Sequence, residues 1–109
     1  MRDDLSLSEV LAMQQALQEK YRGRWEPICP ETAKNKLLWL LGEAGEVIDV
    51  LKQHGGEAAC SLPEVRAHLT EELADVLMYY GDILLCCGIT PEEMREAFIA
   101  KHEKNMTRW

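Results

Sequence analysis

Several things are scarce in this chain of 109 residues, and each scarcity excludes a class of protein. Basic residues are outnumbered: 12 Lys and Arg against 19 Asp and Glu leave a net charge of −7. A nucleic-acid backbone is therefore excluded as a natural partner. The three histidines, His54, His68 and His102, all lack a glutamate three positions earlier, so the Glu-x-x-His pairs of di-iron bundles are missing. Four cysteines form no C-x-x-C, and neighbouring Cys86 and Cys87 diverge by about 100° on a helix, so that pair cannot serve one metal site. They read as reduced and mostly core cysteines of a cytoplasmic protein. The longest apolar stretch, Val76 to Cys87, is broken by Gly81 and Asp82 and is too short to span a bilayer, so no membrane association is expected. Met1-Arg2-Asp3-Asp4 leads into a polar helix start without a secretory leader pattern. No repeat, low-complexity segment or strand-like alternation occurs.

What is present describes a soluble globular chain, with 47% apolar and 28% charged residues. Residues 1–109 read as a single domain whose core is helped by self-association. The punctuation predicts four helices. Ser6-Leu-Ser-Glu9 is a capping box opening a first helix to about Tyr21. "RGRWEPICP" is a loop, and a second helix runs from about Glu31 to Gln53, stopping at Gly55-Gly56. Ser61-Leu-Pro-Glu64 reads as another capping box, opening a third helix that ends at Gly88. Thr90-Pro-Glu-Glu93 caps the fourth. The short 88–90 connection predicts that the last two helices are close antiparallel neighbours. The expected fold is all-α, a four-helix bundle completed by oligomerisation.

Acidic residues interrupt the apolar faces. On a helical wheel of the second helix, Glu43 falls between Val50 and Val47 within an arc that also holds Leu37, Leu40, Leu41, Ala44, Ile48 and Leu51. Glu46 lies just beyond the arc beside Trp39, and Asp49 falls further towards the polar side. The third helix repeats the pattern: Glu72 lies between Tyr79 and Ile83, Asp75 is adjacent, and Glu71 and Asp82 lie just beyond Asp75. Packing the two helices together brings four carboxylates into a partly dry place, where mutual repulsion and desolvation are unfavourable unless a cation neutralises them. An all-oxygen donor set favours Mg²⁺, Mn²⁺ or Ca²⁺ over zinc or copper. In the last helix Lys101, Lys104, Asn105 and Arg108 are spaced i, i+3, i+4, i+7 on one face, which is either a cationic C-terminal cap or a polyphosphate contact. Lys36, two turns before Glu43, lies on its line. Trp39, one turn before Glu43, and Trp25, in the loop, offer faces on which a base can stack, although core packing explains Trp39 equally well.

These residues resemble the MazG-type, all-α nucleoside triphosphate pyrophosphohydrolases. The family signature is E-x-x-E on one helix and E-x-x-D on the next. It is matched by Glu43-Ala-Gly-Glu46 and Glu72-Leu-Ala-Asp75, with a similar K…KN..R ending at Lys101, Lys104, Asn105 and Arg108. The resemblance covers roughly residues 31–108. It implies an Mg²⁺-dependent enzyme (Mn²⁺ being the alternative) that hydrolyses a ribo- or deoxyribonucleoside triphosphate between the α- and β-phosphates. The products are a monophosphate and pyrophosphate, in the service of nucleotide-pool housecleaning. It further implies Glu43, Glu46, Glu72 and Asp75 as metal ligands, with one glutamate as base. Lys101, Asn105 and Arg108 would sit on phosphate or sugar, reaching over from a neighbouring subunit of a homodimer or homotetramer. The chain departs from many relatives in carrying Gly42 where they have a glutamate directly before the motif. Two rivals are a phosphoribosyl-ATP pyrophosphatase, which shares the acidic helices, and a non-enzymatic, metal-binding helical oligomer.

Overall fold

The computed structural model describes residues 4–108. Five α-helices follow one another: α1 (Leu7–Lys20), α2 (Ala33–His54), α3 (Gly56–Ser61), α4 (Pro63–Cys87) and α5 (Pro91–Arg108). A 3₁₀ turn at Pro30–Thr32 leads into α2, and no strand is present among the described residues. The fold is all-α, as expected, with one short helix more than the sequence punctuation suggests.

Three of the expected boundaries form for the expected reasons. The Ser6 hydroxyl accepts the Glu9 N–H at 3.1 Å, while the Ser6 N–H donates to the Glu9 carboxylate at 2.8 Å. Thr90 and Glu93 repeat this reciprocal pair at 3.1 and 3.2 Å. Gly88 ends α4 in the left-handed conformation, φ +66°, which a side chain would strain. The Ser61 capping box does not form. Gly55 takes φ +84° and, instead of opening a loop, starts α3, so Ser61 is already helical and donates to the Glu57 carbonyl at 2.8 Å. Leu62 occupies the α4 N-cap without a side-chain bond, and Pro63 takes the first helical position, where its missing N–H costs nothing.

The helix α4 is the hub, packing against α1, α2 and α3 and most extensively against α2. On α2 the seam runs Lys36, Leu40, Glu43, Val47 and Val50, alternating four and three residues, and these positions are buried or half-buried. The rest of the apolar arc stays open: Leu37, Leu41, Ile48 and Leu51 are exposed. At the α1–α4 crossing Gly81 lets the helices approach, since a Cβ there would lie 3.3 Å from Gln14 and 3.5 Å from Leu11. Leu84 and Cys86 of α4, Leu11 of α1, Val50 of α2 and Ala59 of α3 form the small buried apolar core. The cysteines are less internal than their composition suggested: Cys86 alone of the four is buried, while Cys60 and Cys87 are exposed.

The expected antiparallel arrangement of the last two helices is not found. After Gly88 the chain bends through 111°, and α5 packs extensively on no other helix. The helix is polar on average, none of its residues is buried, and Phe98, Ile99 and Met106 stand exposed on it. The Cα radius of gyration is 16.2 Å, against about 13 Å for a compact chain of 100 residues. No single described helix is long and apolar enough to cross a membrane.

Candidate active site

The two acidic motifs meet where the α2 seam faces α4. Glu43, Glu72 and Asp75 are half-buried and each offers a carboxylate oxygen within 4.8 Å of the others. Glu43 holds a seam position, whereas Glu46 is one residue off the seam and exposed, outside this trio. Burial first, then the charges of Asp75 and Glu72, push the Glu43 carboxyl above its ordinary value, with Glu46 contributing last. The trio is thus a set of hard oxygen donors in which Glu43 resists carrying its charge beside the other two. That chemistry fits Mg²⁺ or Mn²⁺. His68, one turn before Glu72 on α4, places its Nε2 3.3 Å from a Glu72 oxygen.

Beside the trio a cavity of about 480 Å³ opens between α1, α2, α4 and the Trp25 loop. It shares Asp75 and Tyr79 with the acidic end and is walled by Trp25 and Trp39. Trp25 stacks on Tyr21 with ring centroids 4.4 Å apart, and Trp39 lies nearly parallel to Tyr79 at 6.5 Å. Trp39 is 60% exposed, so it takes no part in the core of the single chain. The inner end of the cavity is polar. Asp82, 3% exposed, accepts from Gln14 Nε2 at 2.9 Å and from Gln18 Nε2 at 3.3 Å, with the Lys36 charge nearby. Burial raises the Asp82 carboxyl above its ordinary value, opposed by Gln14, Lys36 and Gln18. Burial, followed by the charges of Glu43, Asp82 and Asp75, raises the Tyr79 phenol.

The profile of the MazG nucleotide pyrophosphohydrolase domain matches residues 31–107, well over half of the chain. The chain belongs to this family. No curated protein and no solved structure gives a significant match.

The MazG match spans both acidic motifs and almost all of the cationic stripe, but leaves out α1 and Trp25, which build one wall of the cavity. Of the residues singled out in the sequence, the structure brings together Glu43, Glu72 and Asp75 in the trio, and Lys36, Trp25, Trp39 and Asp75 in the cavity. Lys101, Lys104, Asn105 and Arg108 lie on α5 and belong to neither group. The Asn105 side-chain oxygen is buried without a hydrogen-bond partner among the described residues.

Sequence reasoning passed over Gln14 and Gln18, and placed Asp82 just beyond Asp75 on the helical wheel without giving it a role. A signal was there. Asp75, Tyr79 and Asp82 are spaced i, i+4, i+7, so they share one face of α4. Gln14 and Gln18, one turn apart on α1, face them across Gly81. The i, i+4 spacing of His68 and Glu72 also foretold their contact.

Proposed function

We propose that this MazG domain hydrolyses a nucleoside triphosphate between its α- and β-phosphates, releasing the monophosphate and pyrophosphate with Mg²⁺ or Mn²⁺ bound by the acidic trio. The observation that carries this reading is the adjacency of the three converging carboxylates to a cavity walled by two tryptophans. That juxtaposition suits a ligand with an anionic tail and an aromatic head. The bound cation would neutralise phosphate charge and make phosphorus easier to attack. The chain's own groups do the rest. Glu43, Glu72 and Asp75 would hold the cation at one edge of the cavity and so fix where the phosphate end lies, Trp25 and Trp39 hold the base, and the exposed Glu46 borders the acidic end as a candidate to orient or deprotonate a water.

The cationic stripe enters from a second copy in this reading. Within one chain, α5 turns 111° away and its basic residues do not line the cavity. An exposed apolar face on α2 (Leu37, Leu41, Ile48) and α4 (Leu73, Leu77) is available for association as a homodimer or homotetramer. Lys101, Lys104, Asn105 and Arg108 of one protomer would then meet the phosphates held by its partner. Clearance of unwanted nucleotides in the cytoplasm is the role such hydrolysis would serve.

The test is a panel of ribo- and deoxyribonucleoside triphosphates with Mg²⁺, assayed separately for pyrophosphate and phosphate. Pyrophosphate is expected, and Asp75→Asn and Glu72→Gln should lower its release by at least about a hundredfold with helicity retained. Release of phosphate alone, or undiminished activity in both variants, would sink the proposal. Turnover of phosphoribosyl-ATP with no triphosphate hydrolysed would transfer the same site to that substrate.

A further inference from the structure

The polar end of the cavity is unlike its aromatic walls. It gathers polar groups that phosphate chemistry alone does not require. Asp82 is 3% exposed, and both of its oxygens are held by amides from α1. Holding a carboxylate with two amides commits one N–H of Gln14 and one of Gln18, and leaves their carbonyl oxygens as acceptors. Each Asp82 oxygen also keeps a second acceptor direction. Glu26, on the same cavity wall, accepts from Asn35 at 2.7 Å through one oxygen. Its other oxygen is buried with no partner among the described residues. Lys36 lines the cavity at 5% exposure and makes no hydrogen bond or ion pair shorter than 4.0 Å with another described residue. Its stem is buried while its ammonium stays open to the cavity, where its charge bears on Asp82 without a direct ion pair, so a ligand group can stand between the two.

The resulting pattern is rich in acceptors, with a single cationic donor beside them. A base with an exocyclic amine complements it. Guanine offers an oxygen for the lysine followed by two N–H donors for the carboxylate. Cytosine offers an amine for the carboxylate followed by two acceptors for the lysine. Uracil offers one N–H between two carbonyl oxygens, so a carboxylate reaching that N–H is repelled by at least one neighbour.

We propose that Asp82, positioned by Gln14 and Gln18 and assisted by Lys36, selects triphosphates whose base carries an exocyclic amino group over those with an oxo group or hydrogen in its place. This rests on the hydrolase reading above and names the substrate class for it. Gly81 belongs to the same device, because α1 brings its two glutamines to Asp82 where no Cβ stands between the helices.

Matched pairs isolate the amino group. With Mg²⁺ and the full chain, kcat/KM is measured for GTP against ITP and for CTP against UTP. The amino member of at least one pair should be favoured roughly tenfold to a hundredfold, the range for a hydrogen bond to a charged group. Asp82→Asn, nearly isosteric, should bring that ratio to within about threefold or invert it while the oxo member is still hydrolysed. A purely structural Asp82 would lower both members together and leave the ratio unchanged. Equal hydrolysis within each pair by the wild type overturns the selection and leaves the hydrolase standing, and this comparison holds even if the variant fails to fold. An unchanged ratio in a folded Asp82→Asn protein likewise overturns it. Hydrolysis of none of the four overturns both readings.

Discussion

Neutralising Glu43 is the sharpest perturbation of the acidic trio. Three carboxylate oxygens within 4.8 Å of one another repel by about 0.9 kcal/mol per pair even at the dielectric constant of water. Glu43→Gln removes two of the three pairs, and ordinary salt screens part of the gain, leaving about 1 kcal/mol. In metal-free protein the variant should therefore be more stable than the wild type, with Tm higher by about 4 °C. The pH dependence follows from the raised Glu43 carboxyl. Its value in the unfolded chain is near 4.5 and its folded value lies above that. Between the two, the folded state binds more protons, so the wild type loses stability as pH rises through this window. The advantage of the variant should be absent below about pH 4.5, grow as pH rises, and level off once Glu43 is fully ionised. Adding Mg²⁺ should reverse the order. At a hundred times its dissociation constant, a ligand specific to the native state stabilises by about 2.7 kcal/mol. The variant, short of one donor, should gain less than half of the wild-type increase. Melting curves followed by circular dichroism, with EDTA and then with Mg²⁺ at pH 4.5, 6 and 7.5, read all three effects. A metal-free Glu43→Gln protein that melts below the wild type at pH 7.5, or equal Mg²⁺ stabilisation of both, would refute the reasoning.

Three further outcomes test other parts of the structure. Gly42 is helical, with open space where a Cβ would stand; Gly42→Ala should raise stability by about 0.5–1 kcal/mol in thermal or urea melts. Leu84 is among the most buried side chains of the core; Leu84→Ala should cost about 2–5 kcal/mol by urea titration. Ile48 is exposed on the open arc of α2; Ile48→Glu should shift light-scattering mass to a smaller species, while a change confined to an exposed site leaves protomer stability within about 0.5 kcal/mol.

Much of this was legible in the chain before any coordinates. The Ser6–Glu9 and Thr90–Glu93 boxes and Gly88 announce helix ends through local hydrogen bonds and backbone freedom, so neighbouring residues suffice to read them. Glu43 and Glu72 announce themselves by sitting on apolar faces, and the two acidic motifs identify the family. Ser61 misled because the same local signal competes with a short helix already begun at Gly55-Gly56, which engages the serine in another bond. The bend after Gly88 was equally hidden, since a three-residue connection limits distance and leaves direction free.

The sequence by itself determined the helices, their polar and apolar faces and the pairing of two acidic motifs, because each follows from a spacing of three or four residues. Tertiary structure alone decided which acids converge. The seam through Lys36, Glu43 and Val50 turns Glu43 towards α4 and leaves Glu46 exposed, a distinction set by packing direction. It also decided that Asp82, which the pattern set beside Asp75 without a partner, is buried beneath two glutamines from 64 and 68 residues away. Such a contact depends on how closely α1 and α4 approach at Gly81, and no periodicity within either helix encodes it.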